Sequence, residues 1–342
     1  MIQKPFGQLP NGKEVTAYTI SHENGTSMTV LDYGCTIQAL EIPDKNGNPV
    51  DVVLGYDDAT GYWNGKCFFG ATIGRYGNRI GKGKFTLTGV EYQLNCNDGE
   101  NTLHGGPMGF DRQIWALIDH SDEKLTFFRI SPDGEEGYPG GLGVTITMTL
   151  TTAGKLTIAY DALSDKDTVL SLTNHTYFNL NGDGSAMEQV LQLHGDQITE
   201  GDAGCLPTGK FLDVAGTPFD FRTPKPIGQD IDVEWEQTKL AGGYDHNVVL
   251  SSQETLKFAA KLTGLDTGIT MTTETTEPGM QFYSGNFISE HMGKKSKLAT
   301  RRSAICLETQ KFPDSPNNPH FPSSVLKAGE AYHSETIYTF SV

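Results

Sequence analysis

Two histidines sit in small polar motifs, Asn101-Thr102-Leu103-His104-Gly105-Gly106 and Asn174-His175-Thr176-Tyr177-Phe178-Asn179-Leu180, and a carboxylate lies far downstream in Leu307-Glu308-Thr309-Gln310. Histidine titrates near neutrality, so a histidine and a carboxylate together supply one group that gives a proton and one that takes it. The trio suits acid/base chemistry without a cofactor. Gly105-Gly106 permits close backbone approach to a ligand beside His104. His175 precedes a strand-like stretch whose side chains alternate between faces, as the floor of a site would. Taken alone, each histidine also fits an ordinary turn or core position.

Three further segments carry polar groups. Gly74-Arg75-Tyr76-Gly77-Asn78-Arg79-Ile80 offers Arg79 as a forked donor to sugar-type hydroxyls, with Asn78 in support, or else a solvated loop. Gly242-Gly243-Tyr244-Asp245-His246 offers Asp245 as an acceptor from vicinal hydroxyls, or else an Asp turn leading into a strand. Lys294-Lys295-Ser296-Lys297 with Arg301-Arg302 is the one dense basic patch, a solvated loop by default. If it reached the site, it would point to a phosphorylated substrate.

Other chemistries lack their signatures. No two of the nine histidines lie within four residues of each other and H-E-x-x-H is absent, which argues against a metal site. A G-x-S-x-G nucleophile turn and a G-x-G-x-x-G dinucleotide motif are also missing.

The elements that must position these residues read as strands. Asn-Gly or Asp-Gly pairs begin at Asn11, Asn24, Asn46, Asn64, Asp98, Asp133, Asn181 and Asp183, and such pairs favour tight hairpin turns. Between them run β-branched or alternating stretches: Phe85–Thr88, Leu125–Ile130, Val144–Leu150, Leu156–Tyr160 and Ile337–Phe340. Helical periodicity is thin, with Ile227 to Leu240 the best candidate, so at most a few short helices are expected. The expected fold class is all-β, a large antiparallel β-sandwich. No linker, charge block or repeat divides the chain, so residues 1–342 are expected to form a single domain.

With 42 acidic against 26 basic residues the net charge is -16, which repels nucleic acid and anionic membranes. Five scattered cysteines without C-x-x-C suggest reduced thiols, and no apolar run suits a signal or a membrane span. These features lead to the expectation of a soluble, cytoplasmic protein, monomeric for want of any heptad pattern.

Asn78-Arg79-Ile80, Thr102-Leu103-His104-Gly105-Gly106, Gly137-Tyr138-Pro139-Gly140, Asn174 to Leu180, Asp245-His246, Glu308-Thr309-Gln310 and Pro313-Asp314-Ser315-Pro316-Asn317 follow one another in this order. Through them the chain resembles the aldose 1-epimerase (galactose mutarotase) family along nearly its whole length. The resemblance implies a mutarotase-type β-sandwich with an open sugar cleft and no cofactor. It also implies interconversion of the α and β anomers of free aldoses such as galactose and glucose. Glu308 is similar to the family's general base and His175 to its general acid. His104, Arg79 and Asp245 match substrate-binding positions, and Asn78 and Gln281, in Gly279-Met280-Gln281-Phe282-Tyr283, match secondary sugar contacts. Alternatives are a hexose-6-phosphate 1-epimerase using the basic patch, a glycoside hydrolase using Asp245 and Glu308, and a catalytically silent sugar-binding module. The partner in each case is a monosaccharide or glycoside, with no nucleic acid and no membrane.

Overall fold

Alternation decides the architecture. In the strand Leu142–Leu150 every second residue is buried, and the same pattern runs through Lys155–Ser164, so one face of each strand must be covered. The computed structural model describes residues 1–342. A nine-stranded sheet forms one layer, in the order Ala116–His120, Lys124–Ser131, Leu142–Leu150, Lys155–Ser164, Ala331–Ser341, Thr270–Thr275, Lys257–Thr263, Val190–Leu193 and Lys225–Pro226. All its neighbouring strands pair antiparallel.

A five-stranded sheet, Ile2–Gln8 to Pro49–Asp51, and a six-stranded sheet make the facing layer. The six strands run Tyr177–Phe178, Ile305–Gln310, Gly279–Tyr283, Asp245–Val249, Gln197–Gly201 and Pro207–Asp213. A bridge between Val53 and Phe178 joins the two sheets, and the Leu54 N–H donates to the Tyr177 carbonyl at 3.0 Å. One cluster of 51 buried apolar residues draws on all three sheets, with Val30 and Ile37 from one, Ile146 and Ile158 from another, and Phe282 and Leu307 from the third. The fold is an antiparallel β-sandwich, as expected.

Four of the five anticipated strands lie within observed ones, and Phe85–Thr88 overruns the strand Lys84–Leu87 by one residue, because Thr88 turns with φ 50°. Seven of the eight anticipated turn glycines have positive φ; Gly65 differs, with φ -63°. It closes the helix Ala59–Asn64 because Asp58 caps that segment, accepting from the Gly61 N–H at 2.8 Å. That helix was not anticipated; in the one region expected to be helical, Ile227 to Leu240, an α-helix forms only at the end, Glu236–Ala241, with a 3-10 turn at Ile227–Gln229.

Candidate active site

The outward face of the six-stranded sheet forms the floor of a cleft of about 1270 Å³. Along Ile305–Gln310, Ile305 and Leu307 enter the core, so Cys306, Glu308 and Gln310 must face the other way. The register extends this polar face sideways: Glu308 lies opposite Gln281, and Gln281 opposite Asn247. Cys306 lies opposite Tyr177 on one side and Tyr283 on the other, with Asp245 opposite Tyr283. Alternation therefore delivers Glu308 and Gln310 to one surface, while Thr309 turns inward to the Thr336 hydroxyl.

The two histidines arrive on loops. Arg79–Ile80 and Thr102–Leu103 pair as a short ribbon, with Leu103 opposite Arg79. At its end Asn78 and His104 take left-handed φ values of 64° and 53°. The Asn78 backbone N–H donates to Nδ1 of His104 at 3.1 Å, and the His104 N–H donates back to the Asn78 carbonyl at 3.0 Å. An Nδ1 that accepts leaves the proton of a neutral imidazole on Nε2. His104 is thereby made a donor. Burial and the neighbouring His175 and Arg79 hold its pKa well below the usual histidine range, so it stays neutral.

His175 lies between the strands Thr173–Asn174 and Tyr177–Phe178. Its backbone is tied to the segment around Phe68: the His175 N–H donates to Ala71 O at 2.9 Å, and the Gly70 N–H donates to His175 O at 3.0 Å. The Asn174 side-chain amide donates to Gly70 O at 3.0 Å. These ties place the Phe68 ring against one side of His175, at 5.7 Å between centroids and 26° between planes, while Tyr177 stacks at 5.0 Å and 21°. Phe68 also meets the His104 ring edge-on at 4.8 Å. Phe68 has φ 55°, an uncommon value for a bulky side chain, which marks it as held by its surroundings.

His175 Nε2 approaches Glu308 Oε2 to 3.6 Å, and both side chains are almost fully buried. That oxygen has no hydrogen-bond partner. Burial, with the charge of Asp245 added and Arg79 opposing, raises the Glu308 pKa well above the ordinary carboxyl range. Burial lowers His175 to about 4 despite a hydrogen bond to its own backbone. Burial thus favours the neutral forms of both: an un-ionised Glu308 and an uncharged imidazole.

Beside the pair, Arg79 Nε donates to Asp98 Oδ2 at 2.7 Å, and Gln281 Nε2 donates to Asp245 Oδ1 at 2.7 Å. Burial opposes the charge on Arg79, but Asp245 and Asp98 outweigh it and raise the pKa. Burial raises Asp245, with Arg79 and Gln281 pulling it down. The Asn78 side-chain oxygen accepts from the Arg79 N–H at 2.8 Å and thus braces the turn.

The sequence-predicted residues Asn78, Arg79, His104, His175, Asp245 and Glu308 all line this cleft, and Gln281 sits directly behind Asp245. Asp98, Phe68, Cys67, Tyr283 and Cys306 were not foreseen as part of this site. The Asp98-Gly99 pair reads as a turn, and no local pattern announces Phe68. Ring nitrogens of His104 and His175 and an oxygen of Glu308 lie within 4.8 Å of one another, close enough for a divalent cation. The hydrogen bond into His104 Nδ1 works against coordination, because Nε2 would first have to lose its proton.

The basic patch is engaged elsewhere. Lys294 is buried against Asp51 at 2.9 Å, Lys295 reaches Glu41 at 2.8 Å, and Arg302 reaches Asp232 at 2.9 Å. Lys297 donates to the Gly182 carbonyl, and Arg301 to the Gly242 carbonyl. The cations that line the cleft are Lys66 and Arg79, among the acids Asp57, Asp58, Asp98 and Asp245.

Comparison with known proteins agrees with this geometry. Residues 16–339 match the family described as aldose 1-epimerase. The chain belongs to the aldose 1-epimerase family. It is 41% identical to the galactose mutarotase of Bos taurus, over 98% of this chain and 97% of that protein. It is 36% identical to the aldose 1-epimerase of Escherichia coli, over 99% of each. Among solved structures, an aldose epimerase homologue from C. elegans superposes with a TM-score of 0.88 at 30% identity, covering 95% of this chain and 98% of the other. A galactose 1-epimerase from Lactobacillus acidophilus gives 0.86 at 27% identity, over 99% and 98%.

Proposed function

We propose that this aldose 1-epimerase family member interconverts the α and β anomers of free aldoses, with Glu308 and His175 as the proton-transfer pair. The observation that carries the reading is the contact between His175 Nε2 and Glu308 Oε2 at 3.6 Å, buried at the cleft floor and bordered by hydroxyl-binding groups. Opening a pyranose requires a proton to leave the C1 hydroxyl while another reaches the ring oxygen. Glu308 as carboxylate takes the first, His175 as imidazolium gives the second, and the C1–O5 bond breaks to leave an aldehyde and a C5 hydroxyl. Rotation about C1–C2 presents the other carbonyl face. The C5 oxygen then attacks C1, His175 recovers its proton from that hydroxyl, and Glu308 returns its proton to the carbonyl oxygen. Atoms and charge balance without a cofactor.

This assignment starts from ionised Glu308 and charged His175, whereas burial favours the neutral pair. The two arrangements hold the same number of protons and differ by one transfer across the 3.6 Å contact. A bound sugar, with its hydroxyl against the carboxylate and its ring oxygen against the imidazolium, favours the charged arrangement by hydrogen bonding to it. His104 contributes a fixed Nε2–H donor, Arg79 a guanidinium, and Asp245, steadied by Gln281, an acceptor for hydroxyls. Asn78 acts by holding the turn under Arg79 and His104.

Residues 1–342 act as one domain, supported by a core shared among three sheets, and as a monomer, since one chain supplies the whole site. Five free thiols support a cytoplasmic location. No helix is long and apolar enough to cross a membrane. Galactose is the substrate that the relatives' names support, and glucose, which differs from it at a single hydroxyl, suits the same polar cleft. Polarimetry of freshly dissolved single anomers tests the function, and decay at the spontaneous rate at micromolar enzyme would refute it.

A further inference from the structure

Cys306 lies on the same strand face as Glu308, two residues before it, and is completely buried. Its Sγ sits 3.5 Å from His175 Nδ1, the ring nitrogen opposite the one that meets Glu308. The His175 ring is clamped between Phe68 and Tyr177, so this contact is fixed by packing. We infer that Cys306 is a positioning residue whose sulfur accepts the Nδ1–H of His175 throughout the cycle, leaving Nε2 as the nitrogen that exchanges protons. The inference rests on the reading of His175 as the proton donor to the ring oxygen.

The chemistry favours this orientation. The un-ionised Glu308 that burial favours can donate toward His175 Nε2 only if that nitrogen carries a lone pair, which puts the neutral ring's proton on Nδ1, facing sulfur. When the proton passes from Glu308 to Nε2, the Nδ1–H is unchanged. His175 can then give up its Nε2 proton and return to the same neutral tautomer without rearrangement. The opposite tautomer would leave Nε2 unable to accept on re-closure.

A thiol is also a weak acceptor. A carboxylate at this position would stabilise imidazolium, as in serine hydrolases, and would make His175 a poorer acid toward a weakly basic ring oxygen. Burial and the nearby Glu308 and Asp245 hold the Cys306 pKa well above the thiol range, so the sulfur remains a neutral thiol. The other titratable groups around the ring are His104, Tyr177 and Tyr283, and Arg79 is the nearby cation. None of them hydrogen-bonds to Nδ1.

The direct test is ¹⁵N NMR of the histidine rings in the intact wild-type protein, with His175 assigned by loss of its signals in His175→Asn. The expected result at neutral pH is a protonated Nδ1 and an unprotonated Nε2. A protonated Nε2 with bare Nδ1 would overturn the inference while leaving the function itself untouched. Kinetics add a second readout. Cys306→Ala is expected to reduce kcat about tenfold with KM within about twofold, the scale of one lost hydrogen bond. Cys306→Ser restores an acceptor, and should recover most of kcat while moving the acid limb of kcat/KM upward by about half a pH unit or more. An Ala variant with wild-type kcat and an unmoved acid limb would also overturn it. Loss of epimerase activity in wild type, or full activity in His175→Asn, would instead overturn the reading on which it rests.

Discussion

Glu308→Gln isolates the proton-transfer step. The side chain is only 2% exposed, and its Oε2 has no hydrogen-bond partner, so an amide fits the same volume without breaking a bond in the fold. What disappears is the acceptor for the C1 proton. A positioned general acid or base contributes about 10²–10⁴ in rate, equivalent to about 3–5 kcal/mol of barrier. kcat should fall by about that factor, with KM changed by about threefold or less because hydroxyl binding resides in Arg79, His104 and Asp245. Stability should move the other way. The folded-state pKa of Glu308 is raised above its ordinary value, so stability from this carboxyl is full at low pH and lost as pH rises toward the folded pKa. At neutral pH the carboxyl is a liability that glutamine lacks. The variant should therefore melt at or above the wild-type temperature, and its advantage should grow from pH 5 to pH 8. Polarimetry on pure α anomer, corrected for the spontaneous rate, measures kcat, and calorimetry on the same samples measures melting. Activity within tenfold of wild type, or a fall in activity matched by a fall in melting temperature, would refute the reasoning.

His175→Asn should lower kcat by a similar about 10²–10⁴ while keeping the fold, checked by polarimetry and circular dichroism. Asp245→Asn should act mainly on binding, raising KM by about tenfold or more with a smaller effect on kcat, because the carboxylate, held by Gln281 outside the His175–Glu308 contact, is assigned to hydroxyl binding and not to proton transfer. For wild type, kcat/KM should fall below about pH 4, where His175 takes a second proton into the pair, and fall again on the alkaline side as the raised Glu308 carboxyl gives up the pair's one proton; an acid limb centred on ordinary histidine values would contradict the assigned desolvation. Hexose 6-phosphates should be turned over no better than free hexoses, since Lys294, Lys295, Lys297, Arg301 and Arg302 are engaged by the protein's own acceptors.

Much of this molecule is written locally. Strand identity follows from alternation over a few residues, as in Val144–Leu150, and the Asn-Gly and Asp-Gly pairs mark turns by a backbone preference that acts within two residues. Asn64-Gly65 departs because a capped helix competes for the same residues. The motifs around His104, His175 and Glu308 likewise carry the family likeness in short windows, which is why their chemistry can be inferred before any contact is seen. Arg79 and Asp245, each ambiguous as a loop residue, gain meaning only from the cleft that both line.

What tertiary structure alone decides are relations between residues distant in sequence. Register across the six-stranded sheet puts Asp245 behind Tyr283 and Gln281 beside Glu308. Packing sets Phe68 against His175, and a backbone N–H fixes the His104 tautomer. The basic patch is the opposite case: five charged residues that look available in sequence are bound to acids and carbonyls elsewhere in the chain. The physical reason is common to all of these. Residue type sets what a side chain can do, while burial, register and hydrogen-bond partners set its charge and tautomer. A carboxyl whose pKa is raised by burial and an imidazole lowered to about 4 are properties of the packed cleft.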